Sequence, residues 1–163
     1  VIPWLEDTLR SQLDDYKRIA QKANEAALLC KKAGLKLAYH NHDFEFTKFG
    51  DQTGYGILLQ ETDKKLVDFE LDLYWVVRSG NDPLQLFQNH AGRFTMWHVK
   101  DMDKNNPAWN AEIGEGNINF KAIFAQAKAS GMQHFFVEQE TNYSPNPMES
   151  IKASCQYVSK QLL

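Results

Sequence analysis

Four side chains that can bind a metal ion follow four apolar runs of the chain. They are two imidazoles and two carboxylates, His40, Asp72, His98 and Glu138, at intervals of 32, 26 and 40 residues. Each interval has room for one helix and its loops. Because parallel strands that alternate with helices bring their C-terminal ends to one face, residues this distant in sequence can share a site. Imidazole and carboxylate groups at one point predict a divalent-metal site.

The mixture of ligands also indicates which ion would bind. Two carboxylates and two imidazoles predict manganese, zinc, cobalt or iron rather than magnesium or calcium, which prefer oxygen ligands. An unpaired carboxylate at the end of an apolar strand is costly to bury, so metal ligation accounts well for Asp72. The alternatives are that Asp72 caps a loop and that His98 is a structural strand histidine.

Composition and charge exclude several classes of protein. The 163 residues are about the size of one domain, and 43% apolar with 24% charged residues is typical of a globular chain. The net charge of −3, with acids and bases intermixed, argues against a nucleic-acid surface. No apolar run approaches the roughly 18 residues of a membrane span. Cys30 and Cys155 are predicted to be free thiols.

The N-terminus shows no cleavable signal pattern. The chain begins at Val1 rather than at an initiator methionine, so we expect the natural start to lie upstream. The cellular compartment, cytoplasmic or periplasmic, therefore remains open.

Apolar periodicity and turn residues predict a helix followed by four strand–helix units. Asp7 or Thr8 is predicted to cap the first helix, and Gly34 to end it. Asp82 followed by Pro83, and Asn119, are predicted to start the second and third of the helices given below, and Gly131 to end the third. The predicted strands are residues 35–41, 66–71, 94–99 and 134–138, and the helices that follow them are residues 54–61, 84–89, 120–130 and 148–162. Residues 101–117 are predicted to be a polar loop.

This alternation predicts an α/β fold with parallel strands and right-handed crossovers. Four strand–helix units are either half of a TIM-type barrel of eight strands or a small open sheet. A complete barrel needs about 250 residues, so the chain is too short by about a third. Half a barrel leaves strand edges and an apolar interior uncovered. We therefore expect either self-association or a missing N-terminal half of the barrel.

Five short blocks carry a resemblance to a known family. They are YHNHDFEF (residues 39–46), DLYW (72–75), HVKD (98–101), GEG (114–116) and VEQ (137–139). In this order and spacing they resemble the sugar phosphate isomerase/epimerase family, which has a xylose isomerase-like TIM barrel. The resemblance spans almost the whole chain. It implies that residues 1–163 form a single domain, the C-terminal portion of that barrel with strands five to eight.

The resemblance also implies a ligand set. Asp72, His98 and Glu138 match the family's last three metal ligands, whereas the first is commonly a Glu that precedes Asn-His. This chain has His40-Asn41-His42 there, so His40 replaces the glutamate. The family's epimerases are expected to use the first and last Glu as an acid/base pair, and the replacement weakens that mechanism here. Histidine can still ligate metal and exchange protons near neutral pH.

Further residues are predicted to serve catalysis. His42 lies two residues after His40 on the same side of the strand, and acts either as a ligand or as a contact to substrate. Lys100 shares the face of His98. It is predicted to bind a phosphate, carboxylate or developing enolate, or to pair with Asp101 or Glu138. Glu138 is the predicted general base.

Three other residues are assigned from their positions. Trp75 is predicted to stack on a sugar or, alternatively, to pack against a neighbouring loop. Glu115, between two glycines, either orders its loop or contacts substrate. Trp97 alternates away from His98 along the strand, so it is predicted to be buried between sheet and helices.

These features together predict a metal-dependent isomerase or epimerase of a sugar or sugar phosphate. Glu138 would remove a proton beside the carbonyl, and His40, His42 or Lys100 would assist its return. One alternative is a lyase or dehydratase on a keto sugar or keto-glycoside, which needs no symmetric pair of carboxylates. Another is a non-catalytic fragment that binds metal or sugar. The expected partner is a small sugar, with no nucleic acid and no membrane.

Overall fold

The computed structural model describes residues 1–163, which fall into two compact units, Val1–Glu70 and Leu71–Leu163. The boundary between the units lies within one strand, Val67–Asp72. Parallel pairing of strands is present in each unit, so the prediction of an α/β fold with parallel strands is confirmed. The assignment of the chain to a single domain stays a prediction.

The first α-helix of the first unit is α1, Leu13–Lys32. The predicted caps, Asp7 and Thr8, are wrong, because they lie in a separate 3-10 turn, Asp7–Leu9. The helix starts later because the Asp15 carboxylate accepts the backbone N–H groups of Ser11 and Gln12, which completes a capping box with Gln12. One stripe of α1 is buried, as its periodicity predicts: Tyr16, Ala20, Ala23 and Ala27.

The first candidate histidine, His40, ends one strand of a parallel pair. Strand β1, Leu37–His40, pairs with β4, Val67–Asp72, in a register that places His40 opposite Glu70. Between them lie a 3-10 turn, Phe44–Phe46, a short antiparallel pair, β2 (Lys48–Phe49) and β3 (Gln52–Thr53), and helix α2, Gly54–Glu61. The predicted helix over residues 54–61 is confirmed, and the Thr53 hydroxyl caps it.

The second unit carries the remaining elements. Its helices are α3 (Leu73–Arg78), α4 (Pro83–Asn89), α5 (Phe120–Phe124), α6 (Ala127–Ser130) and α7 (Pro147–Gln161). Its strands are β5 (Met96–Val99), β6 (Asp101–Met102), β7 (Asn110–Ala111) and β8 (His134–Val137). Strands β5 and β8 pair in parallel, with His98 opposite Phe136. Strands β6 and β7 form a small antiparallel pair within the predicted loop.

Two predictions for this unit need correction. Helix α3 was not predicted, and it starts immediately after Asp72, whose carboxylate accepts the Trp75 N–H. The helix predicted over residues 120–130 is two shorter helices. Its break follows from a tighter turn, since the Gln126 N–H donates to the Ile123 carbonyl, three residues back. The Asn119 cap and the end at Gly131 are as predicted.

Aromatic packing fixes which way β5 faces. Trp97 is fully buried, as predicted, with its ring stacked on Phe87 and edge-on to Phe124. Because side chains alternate along a strand, burying Trp97 turns His98 to the opposite face. Cys30 and Cys155 are free thiols, as predicted. None of the helices combines the length and the apolar character that a membrane crossing requires.

Candidate metal centre

Three of the predicted metal ligands lie together in the second unit. Asp72 ends β4, His98 lies in β5 and Glu138 directly follows β8, and one ligand atom from each lies within 4.8 Å of the others. His98 Nδ1 is 2.8 Å from Glu138 Oε2 and 4.0 Å from Asp72 Oδ2. Ligand bonds of about 2.0–2.2 Å allow atoms at these separations to share one ion.

The chemistry of the three groups fits a divalent ion. Asp72 is fully buried, and a carboxylate in that position needs a positive charge nearby. Two carboxylates and one imidazole are ligands that zinc, manganese, iron and cobalt accept. The three residues therefore suit the kind of ion that the sequence predicts.

Lys100 supplies a buried positive charge beside this cluster. Its side chain is 2% exposed, and Nζ lies 2.9 Å from Glu138 Oε2, 3.4 Å from Asp72 Oδ2 and 3.3 Å from Glu140 Oε2. Burial acts to lower the pKa of Lys100, but the three carboxylates, Asp72 first, outweigh it and raise that pKa. Lys100 is therefore an ammonium ion at neutral pH. Of the pairings predicted for it, Glu138 is present.

Glu138 is ionised, which is the state in which a carboxylate can bind a metal ion. Its hydrogen bond with His98, followed by the contact with Lys100, outweighs partial burial and lowers the pKa of Glu138 to about 2. A carboxylate with so low a pKa is a weak base while both contacts persist. The arrangement therefore suits metal binding by Glu138 as it stands. Proton abstraction by Glu138 would require the loss of a contact with His98 or Lys100, which would raise its pKa.

Trp75 lies beside the cluster, in the first turn of α3. The Lys100 Nζ is 5.8 Å from the centre of the Trp75 ring, and the Arg78 guanidinium is 4.9 Å from it. The ring also contacts Tyr74 edge-on. Trp75 is half-buried and close to Lys100, which is the position that its predicted contact with a sugar requires. That contact stays a prediction.

Asp101, rather than Glu115, orders the loop that contains GEG. The buried Asp101 carboxylate accepts the backbone N–H groups of Met102, Gly114, Gly116 and Ile118. A Cβ at Gly116 would lie 2.2 Å from an Asp101 carboxylate oxygen, so this close approach requires glycine. Glu115 is exposed, and its predicted contact with substrate stays a prediction.

His40 and His42 lie in the first unit. Their rings are 4.9 Å apart, so both lie on one side of the chain, as their spacing predicts. His40 Nδ1 is 3.3 Å from Glu70 Oε2, and both side chains are almost fully buried. Ligation of the ion by His40 and a catalytic role of His42 stay predictions. Glu70 was not identified from the sequence. The available signal was that Glu70 and Asp72 are two residues apart in β4 and therefore lie on the same face of the strand.

A second residue that was not identified from the sequence, Glu45, is fully buried. Its Oε1 accepts the Tyr39 hydroxyl at 2.8 Å, and its Oε2 accepts the His42 backbone N–H at 2.9 Å. Both bonds fix the course of the chain after β1. Burial raises the pKa of Glu45 to about 7. The sequence signal that could have identified Glu45 as buried is its position between two aromatic residues, Phe44 and Phe46.

The raised pKa of Glu45 predicts a pH-dependent stability. Glu45 holds its proton more tightly folded than unfolded, so the free energy of unfolding should fall as pH rises from about 4.5 to about 7. The shift corresponds to about 3 kcal/mol. Glu45→Gln should remove this part of the pH dependence. Urea unfolding between pH 5 and pH 8 measures it, with exposed Glu61→Gln as control. Parallel curves for wild type and Glu45→Gln would contradict the assignment.

Parallel strands alternating with helices, and a cluster of candidate metal ligands in or directly after these strands, define an α/β protein with a candidate metal centre. Residues 4–161 match the profile of the xylose isomerase-like TIM barrel family, and the chain belongs to that family. The resemblance identified from the five sequence blocks is thereby confirmed.

Individual relatives show how much of the family's length is present. The inosose dehydratase of Geobacillus thermodenitrificans (strain NG80-2) is 27% identical over 166 residues, which cover 89% of this chain and 54% of the relative. A sugar phosphate isomerase/epimerase from Parabacteroides distasonis is 31% identical with a TM-score of 0.81, covering 99% of this chain and 56% of that one. The chain spans about half the length of the curated relatives it matches.

A more distant structure shares the fold. The IOLI protein, crystallised with a zinc atom, is 16% identical with a TM-score of 0.65, and covers 98% of this chain and 59% of that one.

Proposed function

We propose that this chain carries the metal site of an enzyme that removes a proton beside the carbonyl of a sugar, sugar phosphate or keto sugar. The observation that carries the proposal is the cluster of Asp72, His98 and Glu138 around the buried Lys100. Relatives named as isomerase/epimerase and as dehydratase support an activity on sugars or related compounds.

Asp72, His98 and Glu138 are the proposed ligands, with His40 as a fourth. Their chemistry suits zinc, manganese, iron or cobalt. The zinc atom in the IOLI protein is in line with this choice. When bound, such an ion would polarise a carbonyl oxygen of the substrate and so acidify the adjacent C–H bond.

The chain's own groups would handle the proton and the charge. Glu138 is the proposed acceptor of the proton, and loss of a hydrogen bond from His98 or Lys100 would raise its basicity. The buried Lys100 ammonium would stabilise negative charge that develops on the substrate oxygen. His42 is the proposed group that returns a proton, and Trp75 the surface for the C–H face of the sugar.

Two reactions share this first step. Isomerisation or epimerisation returns the proton to carbon, and is supported by the relative from Parabacteroides distasonis. Dehydration expels a hydroxyl group from the next carbon, and is supported by the relatives named inosose dehydratase. The presence of His40 where the family commonly has Glu also favours dehydration, because elimination needs no symmetric pair of carboxylates.

We further propose that β1, β4, β5 and β8 correspond to strands five to eight of the family's barrel. The match to almost all of this chain but only 56% of the Parabacteroides distasonis structure supports this. The remaining strands, or a second copy of the chain, would then cover the free strand edges.

Proton exchange in deuterated water tests the proposed function. The zinc- or manganese-loaded protein should incorporate deuterium beside the carbonyl of a keto sugar, as measured by NMR and mass spectrometry. Exchange without loss of water indicates an isomerase or epimerase, and loss of water indicates a dehydratase. His98→Ala is the control and should show no exchange. Metal binding without exchange, in this chain and in a longer parent chain, would support the non-catalytic alternative.

A further inference from the structure

One loop follows Lys100 in the chain and is hydrogen-bonded to the segment that follows Glu138. This bridging loop, residues 101–118, contains β6 and β7, and Asn110 in β7 is 2% exposed. Asn110 Oδ1 accepts the backbone N–H groups of Glu140, at 2.9 Å, and Thr141, at 3.2 Å. The Asn110 N–H donates in turn to the Thr141 hydroxyl at 2.9 Å. Asn110 therefore holds the chain immediately after Glu138.

The other side of the bridging loop is held by Asp101, which follows Lys100. Its carboxylate accepts four backbone N–H groups of the loop at 2.8–3.2 Å. Asp101 and Met102 also pair with Ala111 and Asn110 across the β6–β7 ladder. These contacts therefore fix the position of Asn110 relative to the end of β5, next to Lys100.

The contact between Glu140 and Lys100 depends on this arrangement. Lys100 Nζ lies 3.3 Å from Glu140 Oε2, and it also forms ion pairs with Glu138 Oε2 and Asp72 Oδ2. Those two oxygens are also the ones nearest His98 Nδ1. An ion among Asp72, His98 and Glu138 would therefore compete with the Lys100 ammonium for the same oxygen atoms. Glu140 offers the ammonium an alternative partner.

We propose that Asn110 is a positioning residue of the metal centre. It holds residues 140–141 so that Glu140 stays 3.3 Å from the Lys100 ammonium, as a partner for that charge when an ion would occupy the oxygens of Glu138 and Asp72. Asp101 fixes the loop that carries Asn110. This inference rests on the metal site proposed above. It accounts for the GEG sequence, since the approach of Asp101 to Gly116 requires glycine.

Amide hydrogen exchange tests the bridge itself. Asn110→Leu removes the acceptor at similar size and should speed exchange at Glu140 and Thr141 about tenfold or more, since two hydrogen bonds are lost. Asn110→Asp keeps an acceptor oxygen and should retain protection. Asp103→Asn, which keeps an acceptor for the Asn105 and Asn106 N–H groups in another part of the loop, is the control. Wild-type exchange at both amides in Asn110→Leu would overturn the proposal.

Zinc titration of the same variants tests the consequence. Asn110→Leu should weaken zinc binding about tenfold, as loss of outer-shell partners commonly does, whereas Asn110→Asp should bind like wild type. Glu140→Gln should weaken zinc binding while leaving amide exchange unchanged. Equal zinc affinity in wild type, Asn110→Leu and Glu140→Gln would overturn the positioning role.

A second variant covers the case in which Asn110→Leu does not fold. Thr141→Val, at an exposed position, removes the acceptor of the Asn110 N–H. It should speed exchange at Asn110 and weaken zinc binding, and wild-type values for both would contradict the proposal. Wild type that binds no zinc would instead refute the proposed function, and the exchange measurement would still decide whether the bridge exists.

Discussion

Asp72→Ala should abolish stoichiometric binding of zinc or manganese. The variant removes one of three ligand groups and leaves Glu138 and His98 without the buried carboxylate opposite them. Loss of an outer-shell partner already costs about 10–100-fold in affinity, so loss of a ligand should cost at least about 100-fold. His98→Ala should have a similar effect. Calorimetric titration and metal analysis of the purified variants measure this result.

Asp82→Ala is a matched control for Asp72→Ala. Both aspartates cap a helix, since Asp72 accepts the Trp75 N–H at 3.1 Å and Asp82 accepts the Leu84 N–H at 2.9 Å. Each change should lose a cap worth about 1 kcal/mol, but only Asp72→Ala removes a carboxylate of the cluster. Asp82→Ala should bind metal like wild type. Full metal occupancy in both Asp72→Ala and His98→Ala would refute the site.

Lys100→Met should destabilise the metal-free protein strongly and the zinc-saturated protein much less. Without its ammonium, the buried Asp72 and the half-buried Glu138 lose a positive charge that lies 3.4 Å and 2.9 Å from their carboxylate oxygens. Breaking a buried ion pair by removing one partner typically costs about 3–5 kcal/mol. A bound divalent ion would replace the missing charge, so zinc should restore most of the loss.

Thermal unfolding in chelator and in excess zinc measures this difference for Lys100→Met. The control is Lys121→Met, because Lys121 is exposed and contacts only Gln161 among the hydrogen-bond partners described. Its unfolding should resemble wild type in both conditions. Equal destabilisation of Lys100→Met with and without zinc would contradict the prediction. It would mean that zinc does not replace the Lys100 charge beside Asp72 and Glu138.

Local sequence signals were enough to place the strands and several helix ends. Val67–Asp72 and His134–Val137 lie within one residue of the predicted strands, because a strand of apolar residues bounded by polar ones is recognisable without its neighbours. Asp82 with Pro83, and Asn119, were recognised as helix starts because a cap acts within its own turn. Helix α3 was missed because its cap, Asp72, was interpreted as a metal ligand or a loop cap, and not as the start of a helix.

The sequence by itself determined the α/β alternation and the candidate ligands Asp72, His98 and Glu138, because periodicity and strand ends are local properties. The family was identified separately, from the resemblance that five short sequence blocks carry. Only the tertiary structure decided which charges meet. The packing of separate segments decides the ion pairs of Lys100, the hydrogen bonds of Glu45 and the hydrogen bond from the Glu140 N–H to Asn110. Burial and distance set their energies, and neither is encoded in the spacing of residues along one segment.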